Sequence, residues 1–215
     1  MEHASQRLAT CMVGGSFDPI HLGHLHLVHS VLTNTGYRRV ILVPAFINNF
    51  KQDRRMAGAG DRWAMLKLAV KAYDSLYPND PKHSLLADAM ELERGGISYT
   101  SDTVAAIYRK YPVDGKLGVV IGDDLLSGLT GWHDFDTLRK TATFVVARRE
   151  DVAPKWDGPD IDLRFIHDEL FSDSSTDIRE AVGALKWKAP LPRIVRNLMP
   201  KEVADYVESH RLYRS

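Results

Sequence analysis

A chain of 215 residues, 44% of them hydrophobic, is long enough to bury a substantial core as one α/β domain. Its 28 Lys and Arg balance 28 Asp and Glu, which removes the basic excess expected of a nucleic-acid binder and leaves any anionic substrate to be met by local charge. The single cysteine, Cys11, excludes an internal disulfide framework; beside Met12 and Val13 it reads as a buried strand residue in a reducing compartment.

The segment Met1 to Thr10 reads as an N-terminal tail without the apolar core of a secretory signal, and no apolar run reaches membrane-spanning length. A cytoplasmic chain with no membrane partner is expected. A first strand is predicted at Cys11–Val13, then a glycine turn at Gly14-Gly15 and a helix over Gly23–Thr33. Next come a strand at Val40–Pro44 and a helix over Asp61–Asp74, whose Met65, Leu66, Leu68, Ala69 and Ala72 form a broad apolar stripe. A strand at Ser84–Asp88, a helix over Thr100–Tyr111 and strands at Leu117–Ile121 and Thr143–Ala147 follow. Pro154, Gly158 and Pro159 mark Asp151–Asp162 as an exposed loop, Arg164–His167 reads as the last strand, and Lys201–Leu212 after Pro200 as a closing helix.

Short β-branched runs alternating with helical spacing are the pattern of βαβ units. The expected fold is a Rossmann-like open parallel sheet with helices on both faces. One domain should span 1–215, with a tail over 1–10 and a helical C-terminal part over 170–215.

The run Gly14-Gly15-Ser16-Phe17-Asp18-Pro19-Ile20-His21-Leu22-Gly23-His24 places a strand end, a short loop and a helix start in succession. Such a unit offers backbone N–H groups and a helix N-terminus to an anion, and histidine tips add cationic or hydrogen-bonding groups. His-x-x-His is also a metal spacing, but a metal site wants a further carboxylate, Cys or His beside it; no protein-held metal is expected. A second run, Ser172-Asp173-Ser174-Ser175-Thr176-Asp177-Ile178-Arg179, combines hydroxyls, an acid and an arginine ahead of Glu180-Ala181-Val182. Helix capping explains the hydroxyls on its own. Arg179, one turn after Thr176, can reach back over the helix start toward a phosphate, or pair with Asp177 or Asp173.

The first run resembles the G-G-x-F-x-P-x-H-x-G-H signature of nucleotidyltransferases, and the second is similar to their S-S-T-x-I-R signature. Between them, Ile97–Val104 resembles P-S-Y-T-x-D-T-L, Ile121–Leu125 resembles I-G-x-D-x-L, and Leu129–Phe135 resembles an L-x-x-W stretch. Together these segments resemble the nicotinate-nucleotide adenylyltransferase family over nearly the whole chain. The resemblance implies adenylyl transfer from ATP to nicotinate mononucleotide, giving nicotinate adenine dinucleotide and pyrophosphate in NAD biosynthesis.

It further implies catalytic roles for His21, His24 and Arg179. ATP would be met by these three with Gly15, Ser16, Phe17, Gly122, Asp124, Ser174, Ser175 and Thr176. The mononucleotide would be met by Gly15, Ser16, Lys51, Tyr99, Thr100 and Trp132, the last offering an aromatic face to the pyridine ring. Mg²⁺ is expected as a cofactor carried by the ATP phosphates, because the sequence shows no compact carboxylate cage. A homo-oligomer is compatible with all of this.

Two places depart from the family pattern. Asp173 stands where an aliphatic residue is usual, and Asn48-Asn49-Phe50 replace Pro-Pro-His before Lys51. Alternative readings are an adenylyltransferase for nicotinamide mononucleotide or pantetheine phosphate, a cytidylyltransferase, a non-catalytic nucleotide-binding module, or a fragment similar to class I aminoacyl-tRNA synthetases. The last should carry a lysine-rich second signature and a basic surface, which this sequence lacks.

Overall fold

In the computed structural model, residues 7–46, 56–148, 156–167 and 174–214 are described. In chain order these carry β1 (Leu8–Gly15), α1 (Leu22–Asn34), β2 (Arg39–Pro44), α2 (Ala59–Leu76), β3 (Ser84–Ala87), α3 (Met90–Arg94), α4 (Thr100–Lys110) and β4 (Val113–Gly122). A 3₁₀ segment, Asp123–Gly131, precedes α5 (Phe135–Thr141), β5 (Ala142–Arg148), β6 (Asp162–His167), α6 (Ser175–Gly183), α7 (Arg193–Arg196) and α8 (Lys201–Ser209).

The six strands lie in the order β3-β2-β1-β4-β5-β6, and every pairing is parallel. From the adjacent central strands β1 and β4 the chain winds outward in opposite directions. This makes the crevice beyond their carboxyl ends the topological switch point where open α/β sheets bind ligands. Gly15 ends β1 and Gly122 ends β4, so the first signature and the Ile121–Leu125 segment leave the sheet there.

Side chains alternate across the pleat and both faces are covered. Cys11, Val13, Val40, Leu42 and Val145 join a core with α1, α2 and the C-terminal helices. Met12, Ile41, Val43, Val119, Phe144 and Val146 join another with Val104 and Ile107 of α4 and Leu138 of α5. Each fully buried aliphatic or Phe side chain contributes about 1.5–3 kcal/mol relative to exposure. Close packing also explains Gly118 in β4, where a Cβ would stand 2.6 Å from the Tyr37 ring and 2.8 Å from Cys11 Sγ. Cys11 is fully buried and its thiol is pushed well up by burial, in keeping with a structural role.

Several expectations need adjustment. β1 begins at Leu8, whose N–H bonds the Pro112 carbonyl at 3.2 Å, so residues 8–10 belong to the sheet rather than to a tail. Gly14 and Gly15 do not form a turn; they pair with Val43 and Pro44 as the last residues of β1. A Cβ on Gly15 would come within 3.3 Å of the Phe17 ring, so this glycine serves close packing. The turn itself falls at Phe17, fully buried with a left-handed φ of 47°, a conformation that carries strain in a non-glycine residue. Asp162, expected in a loop, opens β6. Pro200 is the N-cap of α8 rather than part of its first turn.

Candidate active site

His21 caps α1: its Nδ1 accepts from the Gly23 N–H at 3.1 Å, while His24 Nδ1 accepts from the His21 N–H at 3.3 Å. With both Nδ1 atoms accepting, the neutral rings carry their protons on Nε2. The two rings lie 3.9 Å apart between centroids. Burial depresses His21 to a pKa of about 4, against an upward pull from Asp177. His21 is therefore a neutral hydrogen-bond donor at neutral pH, not a cation. The α1 amides are also committed: Leu22 N–H goes to the Leu198 carbonyl at 2.8 Å and His24 N–H to the His21 carbonyl at 3.1 Å. The expectation that this helix start offers its backbone N–H groups to an anion is corrected; imidazole edges stand there instead.

The second signature lies directly against the first. Ser175 Oγ donates to the Pro19 carbonyl at 3.0 Å, and Arg179 Nη1 donates to the Asp18 carbonyl at 2.8 Å. Arg179 Nη2 also donates to Thr176 Oγ1 at 3.2 Å, so the guanidinium folds back along its own helix as the spacing predicts. Among the described residues an acid stands beside it in Asp18, with Oδ2 3.9 Å from Nη1. Ser174 is the N-cap in a reciprocal box with Asp177, whose carboxyl is held below the usual range chiefly by the Ser174 hydroxyl. Ser175 and Thr176 occupy the first helical positions of α6, where backbone N–H groups have no acceptor within the helix. Asp173 lies outside the described residues.

Asp18 itself is fully buried. Its Oδ1 accepts from Tyr213 Oη at 2.8 Å and from the Ala57 N–H at 3.0 Å. Burial pushes this carboxyl up, and Tyr213, Ala57, Arg179 and Arg62 oppose that shift. Arg62, 2% exposed, places Nη1 on the Ser16 carbonyl at 2.8 Å and the Ala45 carbonyl at 2.7 Å, with Nη2 3.4 Å from the Phe46 carbonyl. It thereby ties the segments leaving β1 and β2. Ala45 N–H adds a 2.9 Å bond to the Gly15 carbonyl.

A second region opens beyond β4. Tyr99, Thr100, Asp124 and Trp132, together with Ser98 and His133, line a cleft of about 360 Å³. Tyr99 caps α4 and stacks on His133 at 4.3 Å and 24°, while Ser101 Oγ meets His133 Nδ1 at 3.1 Å. Trp132 packs edge-on to Phe144 at 6.4 Å, so one part of it belongs to the core while it also borders the cleft. Asp124, expected with ATP, shares this cleft with the residues expected at the mononucleotide. The Phe46 N–H bonds Ser98 Oγ at 3.2 Å, which connects the Arg62-held segment to the cleft rim. Lys51 and the Asn48-Asn49-Phe50 departure lie outside the described residues.

Asp18, Arg62, Tyr213 and His133 escaped the sequence reading. Arg62 had a signal, since it falls three and four positions before Met65 and Leu66 on the apolar face of α2, where a charge needs a buried partner. Tyr213 had none, because its partner is 195 positions away. Among the described residues no group of three or more His, Cys, Asp or Glu could hold a metal ion, and no helix is long and apolar enough to cross a membrane.

Comparison with known proteins identifies the family. A family model described as cytidylyltransferase-like matches residues 12–181. A probable nicotinate-nucleotide adenylyltransferase of Treponema pallidum (strain Nichols) is 35% identical over 219 residues, covering 95% of this chain and 98% of the relative. The nicotinate-nucleotide adenylyltransferase of Bacillus subtilis (strain 168) is 34% identical over 202 residues, covering 94% and 96%. In fold, the chain is similar to the Plasmodium falciparum nicotinic acid mononucleotide adenylyltransferase complexed with NaAD, with a TM-score of 0.70 at 18% identity over 97% of this chain and 98% of that one. With its two signatures hydrogen-bonded together at the β1/β4 switch point, the chain belongs to the cytidylyltransferase-like family and, within it, to the nicotinate-nucleotide adenylyltransferases.

Proposed function

We infer that this protein transfers the adenylyl group of ATP to nicotinate mononucleotide, giving nicotinate adenine dinucleotide and pyrophosphate in NAD biosynthesis. The observation that carries this reading is the junction of Ser175 with Pro19 and of Arg179 with Asp18, which makes one phosphate cradle from two distant segments. In the reaction a phosphate oxygen of the mononucleotide forms a bond to the α-phosphorus of ATP. The bond from that phosphorus to the bridging oxygen breaks in line, and its electron pair leaves on pyrophosphate. A phosphate monoester is already nucleophilic near neutral pH, so no side chain attacks; alignment and charge stabilisation supply the catalysis.

Within this reading, Nε2–H groups of His21 and His24 donate to the ATP phosphates, where negative charge grows as pyrophosphate departs. The Thr176 hydroxyl accepts from Arg179 and so keeps its own proton for a phosphate oxygen. Arg179 supplies positive charge beneath the cradle. Ser174, engaged in capping, acts by fixing the helix start, and Gly15, Ser16, Phe17 and Gly122 give the backbone floor. Tyr99, Thr100 and Trp132 hold the pyridine end, Asp124 meets a ribose hydroxyl between the two substrates, and Lys51 meets the mononucleotide phosphate. Mg²⁺ belongs to the ATP substrate, where it neutralises phosphate charge; the donors of the cradle, imidazole N–H, hydroxyl and guanidinium, suit an anion rather than a bare cation. The reaction is assigned to the cytoplasm, beside its ATP.

Pyrophosphate release from ATP, measured against nicotinate mononucleotide, nicotinamide mononucleotide and pantetheine phosphate, tests the assignment. Turnover is expected with the nicotinate substrate above the other two. Preference for another acceptor changes the substrate, and ATP binding with no turnover on any of them rejects an enzyme.

A further inference from the structure

The last residues of the chain return to the cradle. Arg211 and Tyr213 both adopt left-handed φ values, 52° and 64°, so the backbone after α8 is bent in a way that non-glycine residues adopt only at a cost. That bend delivers the Tyr213 ring into the core, 9% exposed, with its hydroxyl 2.8 Å from Asp18 Oδ1. Arg214 then fastens the end: its Nη1 donates to the carbonyls of Lys186, Trp187 and Ala189 at 3.1, 2.9 and 2.6 Å, on the segment that follows α6. Asp18 is thus gripped by the chain end and by the Ala57 N–H ahead of α2, while its carbonyl holds Arg179 of α6. Three residues later comes His21, the cap of α1.

We propose that Tyr213 is a positioning residue for the ATP-phosphate cradle, acting through the Asp18 carboxylate to fix both the Arg179 guanidinium and the loop that leads into His21. The phenol touches no substrate. It holds the shared Asp18, so its loss lets the Phe17–Pro19 turn and the Arg179 head shift relative to each other. The proposal rests on the reading of that cradle as the ATP site and adds a requirement that the segment after α8 be seated for ATP to bind well.

Tyr213→Phe keeps the ring and removes only the hydroxyl. ATP affinity is measured by calorimetry without acceptor, then the KM values for ATP and nicotinate mononucleotide and kcat are measured separately, with thermal melting beside them. The expected result is ATP binding weaker by about fivefold or more, since a bond to a buried charged group is lost, with the KM for the mononucleotide within about twofold. Asp18→Ala should give the same pattern, and the double variant should be no worse than Asp18→Ala alone, because both changes act on one interaction. Should Tyr213→Phe fail to fold, Arg214→Ala loosens the chain end from the surface and should raise the ATP dissociation constant with the mononucleotide KM unmoved. Unchanged ATP affinity in a folded Tyr213→Phe protein, equal rises in both KM values, additive effects in the double variant, or unchanged ATP affinity in Arg214→Ala overturns the proposal. Absence of ATP binding by the unmodified protein would instead overturn the functional reading beneath it.

Discussion

Ser175 Oγ and the Pro19 carbonyl, 156 positions apart in the chain, meet at 3.0 Å. The contact is a register pin between the two signatures, because it sets where the α6 start stands relative to the loop leading into α1. Ser175→Ala leaves the Pro19 carbonyl without this donor and should cost about 1 kcal/mol of stability. The KM for ATP should rise with kcat less affected, since the cradle is displaced rather than stripped of a donor. Urea midpoints and steady-state kinetics on the same preparation check both parts.

His24→Ala should act differently. The His24 Nε2–H is expected to bond more strongly as charge moves onto pyrophosphate, so its removal should lower kcat by about 3 kcal/mol, roughly a hundredfold, as for an oxyanion-type donor. The KM for ATP should change far less than kcat. Near-normal turnover in this variant would remove His24 from the mechanism.

The sheet was legible chiefly through β2, β4 and β5, whose β-branched runs are buried on both faces, with punctuation between the strands. Val40–Pro44 needed one added residue, Arg39, and α4 was placed within one residue of its end. The short α3, α5 and α7 and the 3₁₀ segment were not legible, because four to nine residues carry too little periodicity to mark a face. The signatures located the cradle, but not which groups it offers. Local sequence cannot say that Leu198 takes the Leu22 N–H or that His21 is buried and neutral. The first depends on the segment after α7 lying against the start of α1, a tertiary outcome.

The depressed His21 pKa gives a pH prediction with a definite sign. The ordinary value is 6.5 and the folded value about 4, so between these pH values the unfolded chain binds more protons at this site than the folded one. Stability is then fully present above pH 6.5 and falls as pH drops through about 4, by at most about 3 kcal/mol from this group. His21→Gln, which cannot titrate, should flatten that part of the stability profile. Urea denaturation at closely spaced pH values from 7 down to 4 measures the slope, and an identical slope in the variant would assign the acid lability elsewhere.

Trp132 borders the cleft while its edge meets Phe144. Trp132→Ala should raise the KM for nicotinate mononucleotide by about fivefold or more through loss of the aromatic face, and lower the melting temperature through lost packing. Trp132→Phe retains a ring and should recover most of the binding. An ATP KM unmoved in both variants would place the residue at the pyridine end alone.

Arg62 poses the sharpest stability test, because its guanidinium is buried and bonds the Ser16 and Ala45 carbonyls. Burial lowers its pKa, and Asp18 and then Tyr213 oppose that shift. Arg62→Leu strips those carbonyls of their donors and takes a positive charge away from the buried Asp18. The expected destabilisation is about 3 kcal/mol, and Asp18 should then protonate more readily, shifting the loss of carboxylate charge to higher pH. Arg62→Lys keeps the charge but a compact ammonium cannot span carbonyls from two segments as a planar fork does, so it should rescue only part of the loss. Denaturation midpoints of the two variants at neutral pH separate charge from geometry: equal losses mean that the fork matters, and full rescue by Lys means that charge near Asp18 is sufficient.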